Sequence, residues 1–182
     1  MSTKKHVTVI LGICGSIAAY KSCDIIRKLK EHSINVKCIL TECGSKFITP
    51  LTIQTLSNNP VYTDMFDPVT YDPEHISLAK EADLVVIAPA TADTIAKLAN
   101  GFASDLLSSV VLSTKSKTLI CPAMNTNMWL HKATQNNIAR IKGLGYRIVM
   151  PVSGKLACGD TGIGKLADTS KIVDEALKLI KK

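Results

Sequence analysis

The stretch ADLVVIAPATADTIAKLANG, from Ala82 to Gly101, joins an apolar run to a helix through a turn of small residues and one proline. Leu84, Val85, Val86, Ile87 and Ala88 follow one another without polar interruption. That pattern suits a strand covered on both faces by helices, and so placed in the middle of a sheet. Thr91 and Asp93 stand where a helix begins, and Ile95, Leu98 and Ala99 recur at helical spacing. The turn Pro89-Ala90-Thr91-Ala92 is therefore expected at the carboxyl end of a parallel strand. Helix amides there point into the crevice where open α/β sheets bind ligands.

The rest of the chain repeats this unit. HVTVILG, residues 6–12, reads as a first buried strand, and Ile13-Cys14-Gly15-Ser16 turns into a helix over 17–31 with Ile17, Tyr20, Ile25, Ile26 and Leu29 at helical spacing. Further strands are expected at 35–40, 61–62, 117–121 and 146–150. Helices are expected as a short piece after Thr41, at 50–58, just after His75, at 102–113, at 131–144 and at 170–182, with loops from Asp64 to Glu74 and over 151–168. Strands alternating with helices predict a doubly wound parallel sheet in a three-layer α/β/α fold, Rossmann-like or flavodoxin-like. With 182 residues, 46% of them hydrophobic, the chain suits one well-buried core and is short for two, so residues 1–182 are read as one domain.

Composition narrows the partners. The formal charge of +7 arises from 22 Lys plus Arg against 15 Asp plus Glu. The basic residues are spread over both termini and over helix faces such as Arg27, Lys28 and Lys30, without interleaved aromatics to stack bases, so no nucleic-acid partner is expected. No apolar run approaches the roughly 20 residues of a membrane span. The opening MSTKKH lacks the apolar core of a signal peptide. The reading is a cytoplasmic protein with no membrane partner. The cysteines at 14, 23, 38, 43, 121 and 158 form neither a CxxC pair nor a disulfide framework; most are expected as small core residues, with no metal site.

Four places carry candidate chemistry. Gly12 and Gly15 permit close approach of a ligand to the backbone and Ser16 adds a hydroxyl beside helix amides, so this turn is either a phosphate site or a tight crossover. A full dinucleotide fingerprint would place a third glycine at Ala18, and Thr41 precedes Glu42 where an acid would take ribose hydroxyls, so a nicotinamide site is poorly supported. His75 is either a capping or surface residue or an acid, base or anion-binding group. Pro122-Ala123-Met124-Asn125-Thr126-Asn127-Met128-Trp129 is either a capped helix start with Trp129 in the core or an amide-rich reader of a carboxylate. The loop from Pro151 holds glycines 154, 159, 162 and 164, and Cys158 within it is a candidate proton donor or nucleophile.

Taken together, GSIAAYK at 15–21, HISLAKEADLVVIAPATADTIAKLANG at 75–101, PAMNTNMW at 122–129 and LACGDTGIGKLAD at 156–168 resemble the flavin-containing cysteine decarboxylase family, over nearly the whole chain. The branch they resemble most acts on phosphopantothenoylcysteine in coenzyme A biosynthesis. The resemblance implies homo-oligomers built on trimers, with FMN at the subunit contact. It assigns FMN binding to Gly15, Ser16, Ile17, Thr41, Pro89, Ala90, Thr91, Ala92 and Ala123. It makes His75, Asn125 and Cys158 catalytic, with Asn125, Ala157, Cys158 and Gly159 against the substrate.

The implied chemistry has a reason. A cysteine carboxylate cannot lose CO2 until an electron sink exists, and oxidised flavin makes one by turning the thiol into a thioaldehyde. Cys158 would then protonate the enethiolate so that reduced flavin returns its hydride and 4′-phosphopantetheine leaves without net oxidation. Lys165 stands where the family often has arginine, which keeps the charge and removes the planar fork. The chain closes soon after its last helix, so a fused synthetase domain is not expected. Rival readings are oxidative decarboxylation of a peptidyl cysteine, a flavin-bound regulatory subunit, a flavin prenyltransferase, and a nicotinamide-dependent dehydrogenase or sensor.

Overall fold

The computed structural model describes residues 7–66 and 74–181. Most of the expected 64–74 loop, and the opening residues 1–6, lie outside the described residues. In chain order the elements are β1 (Thr8–Ile13), a 3-10 turn (Ile17–Lys21), α1 (Ser22–Glu31), β2 (Asn35–Leu40), α2 (Glu42–Ser45), α3 (Pro50–Ser57) and β3 (Val61–Tyr62). There follow α4 (Glu74–Glu81), β4 (Leu84–Ala90), α5 (Ala92–Asn100), α6 (Leu106–Ser113), β5 (Lys117–Pro122), α7 (Thr126–Leu130) and α8 (Lys132–Gly143). The chain ends with β6 (Arg147–Ile148), β7 (Val152–Lys155), β8 (Thr161–Lys165) and α9 (Thr169–Ile180).

Six strands form one parallel sheet in the order β3-β2-β1-β4-β5-β6, the Rossmann order. The chain reverses its direction of travel across the sheet between β1 and β4, and that switch point opens a crevice at their carboxyl ends. Every residue of β1 and of β4 is buried, as two-sided cover requires. Their side chains alternate between two cores. Val9, Leu11, Ile13, Leu84 and Val86 pack with Ile25, Ile26 and Leu29 of α1 and with Ile172 and Val173 of α9. Ile10, Val85 and Ile87 pack with Ile95, Leu107, Val110 and Ile138 from α5, α6 and α8. Each such aliphatic side chain contributes roughly 1.5–3 kcal/mol by leaving water.

Several local expectations are corrected. The helix after Ser16 starts as a 3-10 turn and becomes α-helical only at Ser22, whose hydroxyl donates to the Ala88 carbonyl at 2.7 Å. Residues 102–113 are not one helix. Gly101, at φ 72°, ends α5 in the left-handed conformation, and Asp105 opens α6 with a capping box to Ser108. His75 lies inside α4 rather than before it. His131 separates α7 from α8 by capping the second. The last sheet strand keeps only two residues, and the region 151–168, expected as loop, contains the antiparallel hairpin β7-β8.

Candidate active site

Four strand ends turn into helices along the carboxyl edge, and each turn is capped by its own side chain. Ser16 Oγ accepts the Ala18 amide at 3.3 Å, Thr41 Oγ1 the Gly44 amide at 3.1 Å, Thr91 Oγ1 the Thr94 amide at 3.2 Å, and Asn125 Oδ1 the Asn127 amide at 2.8 Å. Each cap takes one of the free amides of a first helical turn, and the partial positive charge of the remaining ones faces the crevice.

Two clefts lie along this edge. The larger, about 1030 Å³, includes Gly15, Ser16, Thr41, Thr91, Ala92 and Ala123 in its lining, with Met65, Leu106 and Leu107 as apolar wall. The smaller, about 560 Å³, includes Ile17, Asn125, Ala157 and Cys158. Ser16, Ala123 and Met124 line both, so ligands in the two clefts would share one wall. Gly159 lines neither. Pro89 and Ala90 also line neither, because they continue β4: the Pro89 carbonyl accepts the Cys14 amide at 3.2 Å and the Ala90 carbonyl accepts the Ala123 amide at 3.0 Å. Gly12 has no room for a side chain because a Cβ would stand 2.5 Å from Leu107 Cδ1, and at Gly15 a Cβ would stand 2.4 Å from that of Cys43. Packing of the chain on itself thus requires both glycines, and Gly15 also lines the larger cleft.

The hairpin brings Cys158 to Asn125. Met124 donates its amide to the Gly164 carbonyl at 2.9 Å, and Gly164, at φ 135°, leaves its Cβ position 2.2 Å from the Met124 carbonyl oxygen. Only glycine allows β8 to lie so close to the Asn125 turn. At the tip, the Leu156 amide donates to the Asp160 carbonyl at 2.8 Å and the Gly159 amide to the Leu156 carbonyl at 3.0 Å, which holds Cys158 exposed. Asn125 Nδ2 lies 3.8 Å from Cys158 Sγ, and the thiol donates to Asp160 Oδ2 at 3.5 Å. A thiol and a primary amide, 33 residues apart in sequence, thus share one cleft. Trp129 is buried beneath this turn, so the capped-helix reading and the amide-reader reading describe the same residues.

Among the described residues His75 lines neither cleft, and its buried Nδ1 has no hydrogen-bond partner. Cys14 is buried under the larger cleft, where burial pushes its thiol up to about 11 against the lowering effect of the Thr94 hydroxyl, which donates to Sγ at 3.2 Å. It stays a neutral thiol at ordinary pH. Asp105 pairs with Lys97 at 2.9 Å; burial raises its carboxyl, but the Ser108 amide and the Lys97 ammonium outweigh that and hold it below the usual range. The larger cleft thus carries Glu42, Asp64, Asp93 and Asp105 against Lys97 alone. The smaller carries Lys21, Lys155 and Lys165 and no acid. Sequence reasoning did not select Lys21 and Lys155 as site residues. Nothing in the sequence marks them, because the hairpin that sets Lys155 opposite Thr161 and Lys165 opposite Val152 is itself hidden there.

The larger cleft, with thioether and aliphatic walls, fits a planar heteroaromatic ring; a phosphate attached to it would be met by helix amides at the capped turns, because the Lys97 ammonium there is already paired with carboxylates. Among the described residues no helix is long and apolar enough to cross a membrane.

Comparison with known proteins agrees. A family profile described as Flavoprotein matches residues 1–181. The "Probable phosphopantothenoylcysteine decarboxylase" of Streptococcus mutans serotype c is 44% identical over 178 residues, covering 95% of this chain and 97% of that one. The "Coenzyme A biosynthesis bifunctional protein CoaBC" of Vibrio vulnificus is 44% identical over 174 residues, covering 95% of this chain; the chain spans about 43% of that relative's length. Among solved structures, a cysteine-to-serine variant of a PPC decarboxylase complexed with pantothenoylaminoethenethiol matches with a TM-score of 0.89 at 28% identity, covering 97% of this chain and 100% of that one. The FMN-dependent cysteine decarboxylase SpaF matches with a TM-score of 0.84 at 30% identity, covering 97% and 98%.

Proposed function

The chain belongs to the Flavoprotein family, and on that premise we propose that it is an FMN-dependent decarboxylase converting 4′-phosphopantothenoyl-L-cysteine to 4′-phosphopantetheine in coenzyme A biosynthesis. The observation that carries this reading is the meeting of Asn125 and Cys158 in a cleft whose wall, at Ser16, Ala123 and Met124, is shared with the cap-lined cleft beside it. Residues 1–182 act as one flavin-binding decarboxylase domain.

FMN would be held by Gly15, Ser16, Ile17, Thr41, Thr91, Ala92 and Ala123, with Pro89 and Ala90 setting the strand ends. When bound, the flavin supplies a reversible two-electron oxidation of the thiol-bearing carbon, which gives the breaking bond somewhere to put its electrons. Asn125 has its Oδ1 committed to the Asn127 amide, so its Nδ2 is the group left to donate to the substrate carboxylate. That bond fixes the carboxylate without protonating it, so the electron pair of the breaking C–C bond can stay behind in the sink as neutral CO2 leaves. Cys158, exposed at the hairpin tip, then delivers its Sγ proton to the product, with Ala157 beside it in the cleft lining and Gly159 next to it at the tip, against the substrate.

His75 assists deprotonation of the substrate thiol or orients its carboxylate. Its unpartnered Nδ1 supports a role completed by a group from outside the described residues. Apolar side chains on the cleft rims, Ile17 and Tyr20 at the smaller and Phe66 at the larger, are more than half exposed, which supports a trimer in which a second copy covers these clefts. Unpaired cysteines support a cytoplasmic location.

Incubating the flavin-loaded protein with phosphopantothenoylcysteine and measuring CO2 together with product mass tests the reading. Equimolar CO2 and the saturated thiol are expected; a saturated-thiol yield of zero with peptidyl-cysteine turnover instead would assign the site to the peptide enzymes. His75→Asn is expected to retain flavin and lose decarboxylation by about 10²–10⁴-fold, the range of a positioned acid or base. Single-turnover rates check this, and a rate near wild type would return His75 to a structural role.

A further inference from the structure

Resting on the decarboxylase reading, we infer that Lys21, Lys155 and Lys165 form the receptor for the phosphomonoester at the end of the substrate remote from its cysteine. All three line the smaller cleft, the one that holds Asn125 and Cys158, and no carboxylate lines it with them. They come from three elements, the end of the 3-10 turn, the end of β7 and the end of β8, so only the docked hairpin brings them together.

Among the described residues some lysines elsewhere are neutralised, Lys28 by Asp24, Lys37 by Glu81 and Lys97 by Asp93 and Asp105, while others on solvated faces, such as Lys46 and Lys132, are not; what sets the cleft lysines apart is that they are gathered in one concavity. Lys21, Lys155 and Lys165 make no ion pair or side-chain hydrogen bond within the described residues. Three unneutralised ammonium groups around one concavity repel each other and raise the potential for an anion. Lys165 is also directed. Its Cδ and Nζ lie 3.3 Å and 3.6 Å from the Cβ position of Gly154, so the missing side chain on β7 is what leaves room for Lys165 to lie across the hairpin.

The neighbouring cleft has the opposite character, with four carboxylates and one ammonium that is already paired twice. A phosphomonoester carries between one and two negative charges near neutral pH, and ammonium groups bind it as rotatable point charges. A cavity of about 560 Å³ can hold both ends of an extended acyl-cysteine, its carboxylate at Asn125 and its phosphate among the lysines. Each exposed ammonium should then contribute roughly three- to tenfold in apparent affinity, and the three together should set a preference for phosphorylated over unphosphorylated substrate.

The test compares kcat/KM for phosphopantothenoylcysteine and for pantothenoylcysteine in the flavin-loaded wild type, in the triple variant Lys21→Gln, Lys155→Gln, Lys165→Gln, and in the corresponding triple Arg variant. Flavin affinity is read in parallel by fluorescence quenching. The wild type is expected to prefer the phosphorylated substrate by about a hundredfold, the Gln variant to bring that ratio close to one through KM, and the Arg variant to keep it, with flavin affinity within twofold throughout. A wild type that uses both substrates equally overturns the inference and leaves the decarboxylase reading standing. So does a Gln variant that keeps the preference, or one that loses both substrates alike. A Gln variant that keeps the preference and releases flavin would assign the ammonium groups to the cofactor's phosphate instead. A wild type active on neither substrate overturns the decarboxylase reading itself.

Discussion

Cys158→Ser is expected to keep releasing CO2 at a rate within about tenfold of wild type while forming the saturated thiol some 10²–10⁴-fold more slowly, the range of a lost proton donor. The effect separates two half-reactions that the proposed function gives to different groups. In the proposed reaction Asn125 would hold the carboxylate and serve CO2 loss, whereas Cys158, exposed at the hairpin tip with its Sγ 3.8 Å from Asn125 Nδ2, would act as the donor in the step after it. Serine preserves the size of the side chain and the tip's backbone bonds from Leu156 to Asp160 and from Gly159 to Leu156. Its hydroxyl is a far weaker acid than a thiol, so the proton arrives too slowly and the oxidised, conjugated product accumulates. Ultraviolet absorbance of that product, followed beside CO2 release, checks the expectation. Saturated thiol formed at the wild-type rate would remove Cys158 from the chemistry.

Asn125→Asp should abolish decarboxylation, by 10² or more, without unfolding the protein. Aspartate caps helices as well as asparagine does, so Oδ1 can still accept the Asn127 amide and α7 keeps its first turn. What changes is the other half of the side chain: a donor becomes an acceptor, and a negative charge stands where the substrate carboxylate must lie. At a few ångströms in a partly enclosed cleft that repulsion is several kcal/mol. Thermal melting within about 2 °C of wild type, with binding of the substrate lost, is the expected pair of results. Asn125→Ala removes the cap as well and should cost about 1 kcal/mol of stability in addition. Activity retained in the Asp variant would mean that the residue only caps the helix.

The fold could be read from the chain because its signals are local and redundant. Uninterrupted apolar runs at β1 and β4, each followed by a small-residue turn and a capping hydroxyl, specify parallel strands and their crossover helices without knowledge of the partner. Where the reading failed, competing local signals were at work. Leu106 to Ser113 is apolar enough to continue α5, yet Gly101 and the Asp105–Ser108 pair mark a stop and a start. The hairpin was hidden because VSGK and TGIGK lack the apolar alternation of a half-buried strand, most of their residues being exposed, and their glycines are used for close packing on Met124 and Thr126.

The site was partly readable. Ser16, Thr41 and Thr91 announce themselves by position, as hydroxyl residues between strand and helix. No spacing rule joins Asn125 to Cys158, since their approach depends on β8 docking through Gly162 and Gly164 onto the Asn125 turn. Lys21 and Lys155 carry no sequence mark that separates them from lysines on solvated helix faces. They acquire meaning only from the cleft that gathers them.

If the crevice at the β1-β4 switch point holds a flavin against the Asn125–Cys158 cleft, the purified protein carries its chromophore. An absorption spectrum with flavin bands, and release of FMN near one equivalent per chain on denaturation, is expected. A colourless protein that fails to quench FMN fluorescence at micromolar concentration would contradict it.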